Sequence, residues 1–271
     1  MKKKYYLLTI AVLLVGILSG CGNNSGKDTS QDTSLADIKE KGEIVLGTSA
    51  DYPPFEWHII DGSSDEIVGV DIEIAKKLAD DLGVKLTIKD MSFDSLFPAL
   101  NSNDIDMIIA GMVVDEDRLK AADFSDPYIE QGQTILVRKE DANKYKSVED
   151  LRDKKIGSQL GSTQQKYAEE NFGAEIVGIP NNNNLIMDLK NGTLDAVFMT
   201  LLPAQQFENL NENLQIIDLG IPNENGSCVA IRKGSTSLLD EINKSIKNLN
   251  STDQVDNWFL EYQELSEKSA K

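Results

Sequence analysis

Cysteine and histidine are almost missing from this 271-residue chain, which has two of the first and one of the second. Cys21 and Cys228 stand far apart and form no CxxC, so the sequence encodes no disulfide framework. His58 has no cysteine or second histidine nearby, which argues against zinc and favours a surface or hairpin histidine. No metal and no cofactor is expected. Basic residues are also in deficit. Lys and Arg number 27 against 45 Asp and Glu, a formal net charge of -18. That balance excludes nucleic acid as a partner, and adhesion to anionic lipid through a basic face. After the N-terminus there is no apolar run long enough to span a membrane.

The N-terminus itself reads as a processing signal. Lys2, Lys3 and Lys4 precede an apolar stretch, Tyr5 to Ile17, that is short for a membrane span. Leu18-Ser19-Gly20-Cys21 follows and looks like a bacterial lipobox. On that reading residues 1–20 are a lipoprotein signal peptide, and Cys21 carries the lipid after cleavage. Two or more acyl chains, palmitate among them, suffice for stable anchoring. Cleavage removes three lysines and no acid, leaving a charge of about -21. Residues 21–34 are polar and rich in Gly, Asn, Ser, Thr and Asp, a flexible tether. Cys228 then has no partner. It lies in SCVAIR, which reads as a strand, and acts there as a small buried hydrophobe.

From Leu35 onward apolar runs alternate with helical patterns. Ile44 to Thr48 reads as a strand. Asp71 to Leu82 carries apolar residues on one helical face, with Asp71 as N-cap and Gly83 as the stop. Lys85 to Met91 alternates as a strand, a helix opens at Ser92-Phe93-Asp94, and Met107 to Ala110 is a continuous apolar strand. The second half repeats this order. Strands are expected at 155–159, 175–179 and 196–199, with helices from Thr163 through Tyr167 and from Asn184 to Lys190. Gln133 to Val137 and Cys228 to Ile231 are further strands, and Leu238 to Phe259 is helical. The order implies two similar α/β lobes with largely parallel, doubly wound sheets. Ligands bind beyond the carboxyl ends of strands in such sheets. Ser49, Tyr52, Ala110, Gly111, Gln159, Thr163 and Thr200 all fall at or just after those ends, so a cleft between the lobes is expected.

The segments GTSADYPPFEW (47–57), VGVDIEIAKKLADDLGV, MSFDSLFPALNSNDIDMIIAGM, RLKAADFSDPY, SVEDLRDKKIGSQLGST and LKNGTLDAVF occur in an order that resembles the family 3 solute-binding proteins. These are receptors that hand polar amino acids to ABC importers. The match spans nearly all of residues 42–261. The resemblance implies a type II periplasmic-binding-protein-like fold. Lobe 1 would comprise residues 35–131 plus 225–271, and lobe 2 residues 132–224. It also implies a set of roles. Arg118, delivered by the loop after the 107–110 strand, would bind the ligand's α-carboxylate through its planar fork. Tyr52 and Phe93 would form an aromatic clamp, while Phe55 and Trp57 read as core. Backbone groups of Ala110, Gly111 and Val113 would contact the ligand. Ser162 and Thr163, at a helix start, would offer N–H and hydroxyl groups to the same carboxylate. Gln159 and Ser49 would read the side chain.

Two positions depart from the family pattern. Val113 stands where a Ser or Thr is usual, and Thr200 stands where an acid usually pairs with the α-ammonium. Losing a buried charge partner costs about 3 to 5 kcal/mol. Either other groups replace that acid or the ligand lacks a free ammonium.

The function implied is a monomeric, lipid-anchored substrate-binding protein on the outer face of the cell membrane, of a Gram-positive type. It would capture an amino acid or related small carboxylate by hinge closure and pass it to an ABC permease. The alternatives are an enzyme on the same scaffold, similar to cyclohexadienyl dehydratases, or a ligand-sensing surface receptor. No paired-carboxylate or nucleophile motif stands out for catalysis. Glu130, Asp51 and His58 are the candidates, and surface solvation explains each better.

Overall fold

The computed structural model describes residues 32–269. The chain begins with α1 (Ser34–Lys41) and β1 (Glu43–Thr48), then folds a small antiparallel unit from β2 (Asp51–Tyr52), β3 (Glu56–Asp61) and β4 (Ser64–Val68). It continues through α2 (Val70–Leu82), β5 (Lys85–Asp90), α3 (Leu96–Asn101), β6 (Met107–Ile108), α4 (Glu116–Ala121) and β7 (Ala122–Phe124). After a crossover come β8 (Gln133–Arg138), β9 (Lys155–Gln159), α5 (Thr163–Asn171), β10 (Glu175–Ile179), α6 (Asn182–Lys190), β11 (Ala196–Thr200), α7 (Leu201–Leu210) and β12 (Leu214–Ile217). The chain then returns to form β13 (Ala230–Arg232), α8 (Thr236–Ser251) and α9 (Gln254–Ser269).

Two five-stranded sheets result, in the orders β5-β1-β6-β13-β7 and β10-β9-β11-β8-β12. They share one plan. Three strands run parallel, and the fourth is an antiparallel strand that the chain lays down just after crossing between sheets. This is the repeated two-lobe architecture the sequence implies. The crossing segments pair with each other: Ser227 donates its N–H to Ile129 O and accepts from Tyr128 N, both at 2.9 Å. Gly226 is required there, because a Cβ would lie 2.6 Å from the carbonyl oxygen of Ile129. A two-stranded connection of this kind lets lobes rotate about a few backbone positions.

The core follows the periodicities. On α2, Val70, Ile72, Ile74, Ala75, Leu78, Ala79 and Leu82 are buried, and Gly83 closes the helix in the left-handed region at φ 71°. Asp71 is not the N-cap. The helix starts after Gly69, and its first N–H groups are taken by backbone: Val70 donates to Pro54 O and Asp71 to Phe55 O, at 3.1 and 3.0 Å. No side-chain cap is needed, so the Asp71 carboxylate turns inward and is fully buried.

Other expected elements are shorter or split. The strand 107–110 ends at Ile108, where the chain turns toward the cleft. The strand 228–231 starts only at Ala230, because Ser227 and Cys228 pair with Val113, Ile129 and Met112. Cys228 is buried and free, as its setting implies. The helix 238–259 is two helices. Asp253 adopts φ 50°, and the Thr252 hydroxyl donates to the carbonyls of Asn248 and Leu249, closing α8 before α9 begins. Among the described residues no helix is long and apolar enough to cross a membrane. Cys21 and the signal segment lie outside the described residues.

Candidate functional site

The carboxyl ends of the parallel strands of both sheets meet. From the first lobe, Ser49 follows β1, Tyr52 ends β2, and Phe93 lies in a 3-10 turn after β5. From the second, Gln159 ends β9, Ser162 and Thr163 open α5, and Thr200 ends β11. Ser49, Tyr52, Phe93, Ala110, Val113, Gln159, Ser162 and Thr200 are all buried. Tyr52 crosses the cleft, its hydroxyl 3.4 Å from the Thr200 N–H. Burial, chiefly, pushes the Tyr52 phenol above its usual range, so it stays neutral. Gly111 adopts φ 55°, and a Cβ there would touch the Tyr52 ring at 3.5 Å. That contact is ordinary; it is the left-handed backbone conformation that favours glycine here.

Arg118 sits in a helix, not in a loop. Asp115 caps α4 by accepting from the Arg118 N–H at 2.7 Å, and this fixes the direction of the arginine. Its guanidinium lies over the Phe93 ring at 5.4 Å and the Phe97 ring at 5.8 Å. Phe93 therefore carries the arginine as well as facing the cleft. The fork donates to Val113 O and, across the cleft, to Gly161 O at 3.1 Å. Burial lowers its pKa, yet a guanidinium starts so high that it keeps its charge. Arginine has five N–H donors, so these two bonds leave capacity for a carboxylate. Ser162 uses its hydroxyl oxygen to cap α5, accepting from Gln165 N at 3.0 Å. Its hydroxyl proton and the N–H groups of Thr163 and Gln164 remain for an anion.

The expected residues do not line a single open cavity. Arg118, Ser162 and Thr163 share one of about 400 Å³. Val113 and Thr163 share another of about 400 Å³, together with Glu224. Ser49 lines a third of about 700 Å³, beside Asp51, His58, Asp90 and Asn181. Tyr52, Phe93, Ala110, Gly111, Gln159 and Thr200 line none of these three and form packed floor between them.

Several residues at the cleft carry no sequence signal. Asp51 is not surface-solvated. It is 6 % exposed and accepts two bonds from Asn182 of the second lobe, from the backbone N–H at 2.9 Å and the side-chain amide at 2.8 Å. Burial raises its pKa to about 6 despite those bonds. Asn182 is hidden in a run of four asparagines. Gln164, 6 % exposed, donates to Glu224 of the returning segment. Glu224 sits in PNENG, which reads as a turn. Beneath the loop that follows β6, the Asp71 carboxylate accepts from Gly111 N at 2.7 Å and Tyr128 Oη at 3.0 Å. His58 lies in the β3–β4 hairpin between Asp65 and Asp90, whose hydrogen bonds raise its pKa, and Glu130 is exposed.

The model of the bacterial extracellular solute-binding proteins, family 3, matches residues 44–264. The arginine-binding extracellular protein ArtP of Bacillus subtilis (strain 168) is 33% identical over 95% of this chain and 98% of its own length. The glutamine-binding protein GlnH of an ABC transporter of the same organism is 34% identical over 94% and 95%. Among solved structures, the amino acid ABC transporter substrate-binding protein AbpA from Streptococcus pneumoniae Canada MDR_19A, bound to L-arginine, superposes with a TM-score of 0.82. It is 35% identical, covering 85% of this chain and 98% of that one. The chain belongs to the bacterial extracellular solute-binding proteins, family 3.

Proposed function

We propose that this protein is the substrate-binding component of an amino-acid ABC importer, and that it takes up a free amino acid in the cleft between its lobes. The relatives are binding proteins, not enzymes, and they differ in ligand, arginine for one and glutamine for another. The observation that carries the reading is Arg118. It is a half-buried cation joined to neutral carbonyls of both lobes, and with only two of its five donors so used it keeps others free beside the start of α5. A carboxylate arriving there meets a charged fork and the α5 N-terminus together.

Closure follows from the same contacts. Arg118 to Gly161, Tyr52 to Thr200 and Asp51 to Asn182 exist only when the lobes are together. A ligand touching both lobes favours that state by its differential affinity. Lipid anchoring through Cys21 to the outer face of a Gram-positive cell membrane, delivery to a membrane permease and a monomeric state complete the proposal. They rest on the N-terminal motif and on family membership.

The test is a thermal-shift screen of residues 32–271 with L-arginine, L-glutamine, L-cystine and other amino acids. At a hundred times its dissociation constant a ligand adds about 2.7 kcal/mol. For a chain of this size that is a rise of roughly 5 to 10 °C. The expected result is such a rise with at least one amino acid, accompanied by compaction in small-angle scattering and abolished in Arg118→Ala. A rise retained in Arg118→Ala would remove the arginine from the proposal.

A further inference from the structure

Glu224 lies on the segment that returns from the second lobe, and its carboxylate faces inward beside Thr163. Burial acts on it first, raising its pKa. A hydrogen bond from the Thr163 side chain and the field of Arg118 oppose that. The Gln164 side-chain amide donates to it, and the same amide nitrogen lies 3.5 Å from Thr200 Oγ1. Glu224 is thus one amide group away from the end of β11, where Thr200 offers no charge.

Its partners are neutral. Among the described residues no lysine, arginine or histidine forms an ion pair with Glu224 within 4.0 Å. Of the other charged groups in its cavity, Lys166 pairs with Asp115 and Asp117, Asp115 also caps α4, and Glu116 and Glu170 form no ion pair among the described residues. Arg118 mirrors this state, with its fork on carbonyls and no carboxylate in ion-pair contact. Both groups are half-buried, and a charge partly withdrawn from water without an ion-pair partner is disfavoured, so each gains from a counter-charge. Their separation exceeds an ion pair, yet each lies within the field of the other. A molecule carrying both charges about two bonds apart satisfies both at once.

We infer that Glu224 is the specificity-determining acid that takes the ligand's α-ammonium, in place of a charged residue at Thr200, while Arg118 takes the α-carboxylate. The ligand class is then the α-amino zwitterion, and an amine-free carboxylate is discriminated against. A site built to bond a polar group rejects an analogue lacking it far more strongly than one missing a methylene. The inference rests on the amino-acid reading of the cleft and sharpens it.

Calorimetry with matched ligands tests it. The probes are L-arginine against 5-guanidinopentanoate and L-glutamine against 5-amino-5-oxopentanoate, each pair differing only in the α-amine. Wild type should prefer the amine-bearing member at least 100-fold in one pair. Glu224→Gln should cut that preference to below 10-fold, chiefly by weakening the amino acid, with the unliganded melting temperature confirming the fold. Glu224→Asp, which keeps the charge but withdraws it by one methylene, should fall between. Equal loss of both members, or an unchanged preference in either variant, overturns the inference and leaves the amino-acid reading standing. Wild-type protein that is folded yet indifferent to every probe overturns both.

Discussion

The two edges of the cleft each hold a charge, half-buried at one and buried at the other, and they use it differently. At one edge Arg118 crosses from the first lobe to Gly161 of the second. At the other, Asp51 crosses to Asn182. Neither bond is an ion pair. Arg118 spends two of its donors on carbonyls and keeps the rest, so it can take a ligand without giving up closure. Asp51 has each oxygen bonded to Asn182, one to the backbone N–H and one to the side chain. It is a latch. The contrast lies in the chemistry left over: Arg118 offers further charged N–H donors in a plane that matches a carboxylate, while both Asp51 oxygens are held by a single residue of the opposite lobe.

Removing each charge separates the two roles, and Arg118→Ala carries the largest effect. Hydrogen bonds to charged groups are worth about 1.5 to 3 kcal/mol each. Two of them lost to a ligand carboxylate weaken affinity by roughly 100- to 1,000-fold or more. The melting temperature without ligand should move far less than the liganded one. Equal losses with and without ligand would make Arg118 a second latch and erase the contrast.

The pH dependence distinguishes the edges next. Burial holds the Asp51 and Asp71 carboxyls at about 6, above the ordinary 3.8. A group raised on folding binds its proton more tightly in the folded state between those two values. Its stabilising contribution is complete below pH 3.8 and is lost as pH rises through 6. The cost of ionising one such group is about 3 kcal/mol by pH 7.5. Unliganded protein should therefore melt several degrees higher at pH 5 than at pH 7.5, and Asp51→Asn should flatten about half of that slope. A wild-type slope no steeper than that of Asp51→Asn would mean the latch is open to water. Arg118 does not titrate anywhere in this range.

Asp51→Ala comes third. It leaves the Asn182 N–H without its acceptor only in the closed state, so it should weaken ligand binding by about 10-fold through faster release. Stopped-flow kinetics would show an unchanged association rate. A slower association rate would point to a site role for Asp51.

Much of this was legible in residues that obey local rules. The α2 stripe, Gly83, the parallel strands and the placement of Ser49, Tyr52, Gln159 and Thr200 at strand ends follow from periodicity and turn chemistry. The overlooked residues depend on distant partners. Asp71 looks like an N-cap, and only the carbonyls of Pro54 and Phe55, supplied by another segment, free it for Gly111 and Tyr128. Asp51 sits in an aromatic stretch, Asn182 in a run of asparagines and Glu224 in the turn-like PNENG, and each finds its partner on a segment distant in sequence, which no local pattern signals. The sequence puts Arg118 in a loop because EDRLKA is too short to show a helical stripe, although Asp115 before it is a helix-cap signal.

The smallest expected effect is that of Glu56→Gln, beneath the loop that follows β6. Glu56 is 1 % exposed, and burial together with neighbouring Asp71 raises its pKa well above the usual range. The Glu56 Oε2 and Asp71 Oδ1 oxygens are buried and have no other partner. Two acceptors in that situation are satisfied if Glu56 carries a proton and donates it to Asp71, as each carboxyl's influence on the other indicates. Asp71 is then free to hold Gly111 and Tyr128 with its remaining oxygen. A glutamine at position 56 supplies an N–H where the acid supplied an O–H, so Glu56→Gln should cost about 1 kcal/mol or less by denaturant melts. Glu56→Ala, which orphans the Asp71 oxygen and opens a cavity, should cost about 2 to 4 kcal/mol. Equal losses for the two variants would mean that Glu56 is ionised and that the shared proton does not exist.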